Sequence, residues 1–445
     1  MPRIRIAVLL ALITILPLGL IAIASSRSSL PRPDSEISFI RPPWPVRPSK
    51  PAEEVVEIAA PGQRIPISQK PASKQLSIKQ ISCDWPCFRG NEQHTGAIPS
   101  TCGPSASTLN LKWQVSVEGN ITSSPAVAGN KVYFGSDFGK FYCLDAATGN
   151  ILWQADSGHP LTTSPAVKDG KVYYGDDNGL HCWTADTGTP VWQFALGVTR
   201  YSSPVVADGT VYLGTQNGMF AAVDAQTGGQ KWILKIGFTD CLTPAVSGSM
   251  IYVGCHNDKM LCLNAATQAK VWESATKLSY MTTPALSGGT LIFAALDNRL
   301  HAVKTSNGQE IWHLNYCLSS YNNYYSSPAV DGGKVVVCCT NGIIQCVNIA
   351  DGKKIWSHSI SGLGGFGTVP TPVLCGGRVF ITSEKGSQRL YMLDSQTGNE
   401  LWTFETRSSA TSPAVSGGKV FVATLGFFDT ADNKLKSKIF CFGNP

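Results

Sequence analysis

The side chains best suited to chemistry in this 445-residue chain are its fourteen cysteines, because a thiolate can bind a metal, form a disulfide or attack a substrate. No Cys-x-x-Cys pair or cysteine–histidine cluster has the spacing of a metal site. The glycines of residues 362–367 fall between predicted strands, so they do not form a phosphate-binding loop. The sequence also lacks a nucleophile elbow and a His-Glu-x-x-His motif. We therefore predict no catalytic residue, no metal ligand and no cofactor.

The elements that would position any site come from a repeat of about 40 residues. Each copy begins with Ser-Pro or Thr-Pro and continues as short β-branched and aromatic runs separated by glycine, asparagine and aspartate. A tryptophan stands in the strand that ends each of the first seven copies, and one more precedes the first copy. These tryptophans are Trp113, Trp153, Trp192, Trp232, Trp272, Trp312, Trp356 and Trp402. Four short strands in each copy predict one blade of a β-propeller.

The order of the parts predicts how the ring closes. Trp113 precedes the first Ser-Pro, and the last copy, which begins at Ser412, has no tryptophan strand of its own. Residues 109–117 would then supply the outer strand of the last blade and protect its open edge. We predict an all-β fold, an eight-bladed β-propeller with four-stranded antiparallel blades, over residues 108–445.

Most of the cysteines fit this repeat. Five occupy the same place in the third strand of their blades, where other blades have alanine or methionine, and these are Cys143, Cys182, Cys262, Cys346 and Cys441. A position that accepts these residue types is a small buried apolar one, which suits a free thiol. Equivalent strands of different blades are too far apart for a disulfide. Cys83, Cys87 and Cys102, which precede the blades, are the better disulfide candidates.

The turn before each tryptophan carries a family resemblance. The pattern Asp-x-x-Thr-Gly-x-x-x-Trp stands at residues 145–153, 224–232 and 394–402. It resembles the tryptophan-docking motif of the pyrroloquinoline-quinone-repeat family, which includes quinoprotein alcohol dehydrogenases and BamB-like propellers. The resemblance implies that the eight tryptophans are structural and wedge between neighbouring blades.

The same resemblance raises the possibility of quinone chemistry. The dehydrogenases of the family carry a disulfide between adjacent cysteines against the quinone, and Cys338 and Cys339 are adjacent here. This pair ends a predicted strand of the sixth blade rather than lying in a loop of an early blade, so we interpret it as structural. No segment matches the calcium-ligand motifs of those enzymes.

The N-terminal region predicts export. Arg3 and Arg5 precede an apolar run over residues 6–24, which is either a cleaved signal peptide or an uncleaved membrane anchor. Residues 25–81 are rich in proline, serine and charge, which indicates an extended tether. Residues 82–107 resemble the segment that precedes the first blade in this family, and His94 within it is interpreted as a hydrogen-bonded structural residue. The protein would be extracytoplasmic, periplasmic or at the cell surface.

Insertions predict an interaction face. Residues 313–326, 359–370 and 426–436 are longer than their counterparts, and they fall where connections between blades and loops between the second and third strands share one face. Tyrosine, arginine and asparagine are typical of adaptable contact surfaces. The candidate residues on this face are Arg200, Asp240, Tyr280, Tyr316, Tyr321, Tyr324 and Tyr325. An ordinary solvated loop is the alternative.

These features favour a non-catalytic, extracytoplasmic scaffold that binds a protein, as the resemblance to BamB-like propellers implies. A pyrroloquinoline-quinone-dependent dehydrogenase and a carbohydrate-binding ectodomain are the alternatives. A nucleic-acid partner is not expected, because the net charge of +6 forms no basic stripe with stacking aromatics. The membrane is a partner only if the N-terminal segment is uncleaved.

Overall fold

The computed structural model describes residues 83–445 except 201, 256–258, 275–281, 296, 316–325, 340–341, 361–369, 384–386 and 430–431. The chain divides into two units, Met1–Ser77 and Ile78–Pro445, and the first lies outside the described residues. The predicted signal or anchor and the predicted tether therefore remain predictions. Within the described part, eight antiparallel sheets form the blades of a propeller, which confirms the predicted fold.

The first four blades each contain four strands in chain order, from the inner edge to the outer edge. Blade 1 has Ala126–Ala128, Lys131–Gly135, Lys140–Asp145 and Ile151–Asp156. Blade 2 has Ala166–Lys168, Lys171–Gly175, Gly179–Thr184 and Pro190–Ala195. Blade 3 has Val205–Ala207, Thr210–Gly214, Met219–Asp224 and Gln230–Lys235, and blade 4 has Ala245–Ser247, Met250–Gly254, Met260–Asn264 and Lys270–Glu273.

The remaining blades repeat this plan with one change at the end. Blade 5 has Ala285–Ser287, Thr290–Ala295, Arg299–Lys304 and Glu310–Asn315, and blade 6 has Ala329–Asp331, Lys334–Cys338, Ile343–Asn348 and Lys354–Ser359. Blade 7 has Val373–Cys375, Arg378–Thr382, Arg389–Asp394 and Glu400–Glu405. Blade 8 has Ala414–Ser416, Lys419–Ala423 and Lys434–Gly443, with the short strand Phe427–Asp429 paired to the last of these.

The ring closes through a strand that precedes all the others of the blades. Asn110–Glu118 pairs antiparallel with Lys434–Gly443 and becomes the outer strand of blade 8. The register runs from Asn110 opposite Gly443 to Glu118 opposite Lys436. The predicted closure is therefore confirmed, with the strand one residue later than expected at both ends. Closure leaves no open outer edge on blade 8.

Neighbouring blades are held together by tryptophan rings that cover glycines. Six turn glycines with positive φ, Gly149, Gly188, Gly228, Gly308, Gly352 and Gly398, face a tryptophan of the preceding blade. A Cβ atom added at any of them would lie 2.5 to 2.8 Å from the indole ring. The indole nitrogen of most of these tryptophans also donates to a backbone carbonyl of the next blade, as in Trp272 to Thr305 at 2.8 Å. Trp402 meets no such turn in blade 8 and packs edge-on against Phe442.

The aspartate that begins the Thr-Gly turn of blades 1, 3 and 7 stabilises the turn itself. One Oδ1 atom of Asp145 accepts bonds from the backbone N–H of Ala147 and from both the N–H and the hydroxyl of Thr148. Asp224 makes the same three bonds in blade 3. In both turns the threonine N–H bond holds the pKa of the carboxyl below its usual range. These local bonds fix the hairpin on which the tryptophan rests.

The two hydroxyls around each Ser/Thr-Pro step perform different structural roles. The residue two positions before proline bonds within its blade, as where the Thr163 hydroxyl accepts from the Gly175 N–H at 2.9 Å. The residue next to proline bonds between blades, because its oxygen accepts the N–H of its counterpart in the preceding blade. This second contact is seen for Ser124 to Ser164, Ser164 to Ser203, Ser203 to Thr243 and Thr371 to Ser412. We call these inward oxygens the hydroxyl ring.

The cysteines follow the prediction in part. The five cysteines of the third strands are free and buried, as expected. Among the three cysteines that precede the blades, Cys83 and Cys102 form a disulfide and Cys87 is free. The sequence analysis missed a second disulfide, which joins Cys241 to Cys255 within blade 4. Its two residues lie opposite each other in an isolated antiparallel bridge, a proximity that follows from the folded blade rather than from the repeat.

The glycine contacts predict unequal effects of two similar substitutions. Gly308 and Gly170 have φ values of +70° and +71°. A Cβ atom added at Gly308 would lie 2.5 Å from the ring of Trp272, whereas one added at Gly170 would have nothing within 4 Å. We expect Gly170→Ala to lower the free energy of unfolding by about 1 kcal/mol, because it only strains the backbone. Gly308→Ala should lower it by a further ~1–3 kcal/mol, because the methyl group displaces Trp272.

Urea denaturation of the two variants measures this difference. Equal midpoints for Gly308→Ala and Gly170→Ala would show that the ring contact adds nothing to blade packing.

The turn aspartates predict an acid-sensitive component of stability. A carboxyl with a lowered folded-state pKa contributes stability above its unfolded pKa of about 4, and this contribution is lost as the pH falls through the folded value. In blade 4, Asn264 replaces the aspartate and still accepts the N–H bonds of Ala266 and Thr267. A double variant, Asp145→Asn with Asp224→Asn, should therefore keep the turns but lose less stability than the wild type as the pH falls below about 4.

Melting temperatures measured from neutral pH down through the acid range provide the comparison. Parallel curves for the wild type and the double variant would contradict the assignment of this component to the two turns.

Candidate interaction face

The two faces of the ring are built differently. One face, which we call the turn face, carries the tight hairpins between first and second strands together with the Thr-Gly turns. The other, which we call the loop face, carries the loops between second and third strands and the connections from one blade to the next. This separation follows from the antiparallel alternation of the four strands.

The turn face is covered at its centre by residues 83–107, which we call the cap. The inner strand of a blade has an unpaired edge toward the central channel, and the cap pairs with six of these edges. Backbone N–H groups of the inner strands donate to cap carbonyls at 2.7 to 3.0 Å, and the donors are Val127, Val167, Val246, Leu286, Val330 and Leu374. Ala97–Ile98 also adds a parallel strand to blade 7. The predicted packing of this segment on the propeller is thus visible in the structure.

A cleft of about 510 Å³ lies where the cap meets the hairpins of blades 1 and 2. Its charged lining includes Lys131, Lys168, Asp169 and Asp186. Lys131 and Asp186 form an ion pair across it. The cleft therefore presents charges of both signs rather than a cluster of one sign.

Two of the predicted loop-face residues lie in the described part of the chain. The guanidinium of Arg200 binds both carboxylate oxygens of Asp177, at 2.8 and 2.6 Å, across the connection from blade 2 to blade 3. This bond holds the pKa of Asp177 below its usual range. Asp240 is partly buried in the next connection, beside the disulfide of Cys241. Tyr280, Tyr316, Tyr321, Tyr324 and Tyr325 lie outside the described residues.

The structure adds aromatic residues that the sequence analysis missed. Phe138, Phe238 and Phe428 are 58%, 77% and 59% exposed. All three belong to the loop face, in the second-to-third loop of blade 1, the connection between blades 3 and 4, and the extra strand of blade 8. A sequence signal was present, because each phenylalanine stands in a turn segment with glycine one or two residues away and not in a strand of the repeat.

Phe138 and Phe428 lie on neighbouring loops at the boundary between blades 8 and 1, and we call Phe138, Phe427, Phe428 and Leu435 the blade 8–1 patch. The ring of Phe138 lies against Gly119, and the Gly119 N–H donates to the carbonyl of Leu435 at 3.0 Å. Leu435 is in turn the strand partner of Phe428. The amine of Lys438 lies 5.1 Å from the centre of the Phe427 ring.

Hydrogen bonds of Asn120 join the backbone segments that carry this patch. The backbone N–H and the side-chain amide of Asn120 donate to the two carboxylate oxygens of Asp137, both at 2.7 Å. Its side-chain oxygen accepts the Gly426 N–H of blade 8 at 2.8 Å. The Ser437 hydroxyl adds a bond to the Gly119 carbonyl at 2.6 Å. The loops that carry the phenylalanines are thus joined across the boundary between the last and first blades.

The cysteines of the described residues that could take part in chemistry are buried or disulfide-bonded. Cys338 is free and buried, whereas Cys339 is disulfide-bonded, so these adjacent residues do not form the vicinal disulfide of the quinone enzymes. Burial raises the pKa of the free thiols of Cys143 and Cys182 to about 12, which makes them poor nucleophiles. Across the described residues, no group of three histidine, cysteine or acidic side chains is arranged to hold a metal ion.

Two histidine–carboxylate pairs repeat the same packing arrangement. His181 lies 2.9 Å from buried Asp176, although the pair is not aligned as a hydrogen bond, and its ring stacks on Tyr174. His301 lies 3.0 Å from Asp297 and stacks on Phe293. Both histidines occupy the same place in the third strand of their blades. This recurrence in blades 2 and 5 indicates a role in blade packing.

None of the helices in the described part of the chain is long and apolar enough to cross a membrane. The apolar run of residues 6–24 lies outside that part.

Sequence comparison identifies a family. The sequence profile described as outer membrane protein assembly factor BamB matches residues 106–237 and 234–433, which is most of the propeller. No curated protein matches the sequence significantly.

Solved structures with different functions share the architecture. BamB from Moraxella catarrhalis is similar with a TM-score of 0.52 and 17% identity, over 79% of this chain and 97% of that chain. Quinohemoprotein alcohol dehydrogenase from Comamonas testosteroni gives 0.64 and 15%, over 81% and 80%. The computationally designed protein Ika8 gives 0.61 and 17%, over 72% and 96%. At such identities the similarity shows the fold alone, because one fold hosts many functions.

Proposed function

Because the chain belongs to the family described as outer membrane protein assembly factor BamB, we propose that it is a non-catalytic, extracytoplasmic propeller that binds a protein partner through its loop face. The predicted export segment, residues 1–24, and the tether of residues 25–81 would place the ring outside the cytoplasm.

The blade 8–1 patch is the observation that supports this proposal most directly. Phe138 and Phe428 expose more than half of their side-chain surface, on loops that Asn120 and Ser437 join across two blades. Exposed aromatic side chains on a fixed frame contribute to binding at little entropic cost, since they have few rotatable bonds. Burial of such rings in a partner gains about 25 cal/mol per Å² of apolar surface.

The surroundings of the patch are suited to an interface rim. Lys434 pairs with Glu118 at 2.5 Å, and Lys436 pairs with Asp429 at 3.0 Å and with Asp432 at 2.6 Å. These exposed pairs contribute little to stability, but they surround an apolar centre with hydrated charge. Phe238, Arg200 and Asp240 extend the proposed face along the connections from blade 2 to blade 4.

The quinone alternative has less support. The vicinal disulfide is not formed, and the described residues contain no metal-ligand cluster. A titration of the purified protein with pyrroloquinoline quinone and calcium separates the two functions. Stoichiometric binding with alcohol oxidation would replace the scaffold proposal with an enzyme.

The partner site is tested by crosslinking followed by substitution. A photoreactive amino acid at position 138 or 428 should crosslink a specific envelope protein in cells, and one at position 152 on the outer strand of blade 1 should not. The double variant Phe138→Ser with Phe428→Ser should then weaken binding of that protein at least tenfold, because loss of an aromatic anchor costs about 2 kcal/mol or more.

The matched control is Leu152→Ser with Val191→Ser, which removes two apolar side chains of 48% and 43% exposure away from the loop face. Binding by this control and the melting temperatures of both double variants should match those of the wild type. Equal binding by the wild type and the patch variant would exclude this surface as the partner site.

A further inference from the structure

A positive charge is buried inside the cap, and none of the described carboxylates pairs with it. Arg89 is only 2% exposed, and its Nη1 atom donates to the carbonyl oxygens of Thr283 and Pro284 at 3.2 and 3.3 Å. These carbonyls directly precede the inner strand of blade 5, so the guanidinium reaches from the cap into the central channel. Arg89 holds a φ of 62°, which a non-glycine residue seldom adopts.

Most of the hydrogen-bonding capacity of this guanidinium is unused. Its Nε and Nη2 atoms are buried and have no hydrogen-bond partner among the described residues. Burial alone lowers the pKa of Arg89 to about 9, which leaves the group charged at neutral pH. A buried charge without a partner is strongly destabilising, so a group of opposite charge is expected beside it.

The neighbouring histidine does not supply that charge. His94 is fully buried, and its Nδ1–H donates to the carbonyl of Phe88 at 2.8 Å. Burial, and then the charge of Arg89, lower the pKa of His94 to about 3, so the imidazole is neutral. Its Nε2 atom is buried and has no hydrogen-bond partner among the described residues.

The channel wall provides further donors. The hydroxyl-ring oxygens of Ser164, Ser203 and Thr243 each accept an N–H from the preceding blade. The proton of each hydroxyl is therefore left to donate elsewhere. Ser164 and Ser203 are 6% and 8% exposed, and each stands two residues before the inner strand of its blade.

We infer that the channel behind the cap is a binding site for a small oxyanion, of the carboxylate or phosphate class, held by the free N–H groups of Arg89 and by hydroxyls of the ring. A planar guanidinium with two adjacent free donors matches the geometry of such an anion. This site lies away from the blade 8–1 patch, and it does not depend on the proposed partner binding.

Calorimetry on the full-length purified protein tests the site. Inorganic phosphate and acetate are titrated separately at constant ionic strength with chloride as the background anion. We expect saturable, one-to-one binding of at least one of them, and a melting temperature that rises with its concentration. The stronger of the two identifies the class of the anion.

Two arginine variants locate the binding. Arg89→Gln keeps polar atoms but removes the charge, and it should reduce the affinity at least tenfold. The control is Arg378→Gln, because Arg378 also donates to cap carbonyls, those of Pro104 and Ser105, but at the hairpin of blade 7 rather than in the channel. This control should bind the anion as the wild type does.

A measurement on the wild type alone keeps the test decisive if Arg89→Gln fails to fold. Crystals soaked in selenate should show an anomalous peak within hydrogen-bond distance of the Arg89 guanidinium. The inference is overturned if neither anion binds saturably, if Arg89→Gln binds as well as the wild type, or if the soaked anion is found only outside the channel.

Discussion

The structure depends on the contact between the indole ring of one blade and the turn glycine of the next. A single four-stranded blade has two faces to bury, and it can bury them only against its neighbours. The Thr-Gly turn provides a flat site without a Cβ atom, and the aspartate of the turn fixes that site through bonds to the threonine. The contact recurs at six of the eight boundaries between blades, so one local interaction sets most of the geometry of the ring.

The cap covers the unpaired strand edges at the centre of the ring. Inner strands have unpaired edges that face the channel, and free edges invite pairing with other chains. The cap satisfies six of these edges with its own carbonyls, and the disulfide between Cys83 and Cys102 ties its two ends together. The centre of the turn face is therefore occupied by contacts that stabilise the fold. The cap also carries Arg89 and His94 into the channel, where the proposed anion would compensate the buried charge.

The cap contacts lie on the turn face, whereas the exposed phenylalanines lie on the loop face. The separation is consistent with a scaffold that keeps one face for closure and one for contact. The fold itself does not select this role, since an alcohol dehydrogenase and a designed protein share it. The proposed binding role is based on groups of the described residues: paired charges, buried thiols with raised pKa values, and exposed aromatic rings.

The sequence by itself determined the number of blades, the closing strand and the role of the tryptophans. These features follow from a periodic pattern of turn residues and aromatic residues, and each copy of that pattern reports on a short stretch of chain. The family resemblance rested on the same local motif.

The tertiary structure alone decided the features that join distant segments. The disulfide between Cys241 and Cys255, the burial of Arg89 beneath blade 5 and the joining of blades 1 and 8 by Asn120 depend on which residues the closed ring brings together. The turn positions of Phe138 and Phe428 gave a sequence signal, but only the folded ring shows that no core covers their side chains.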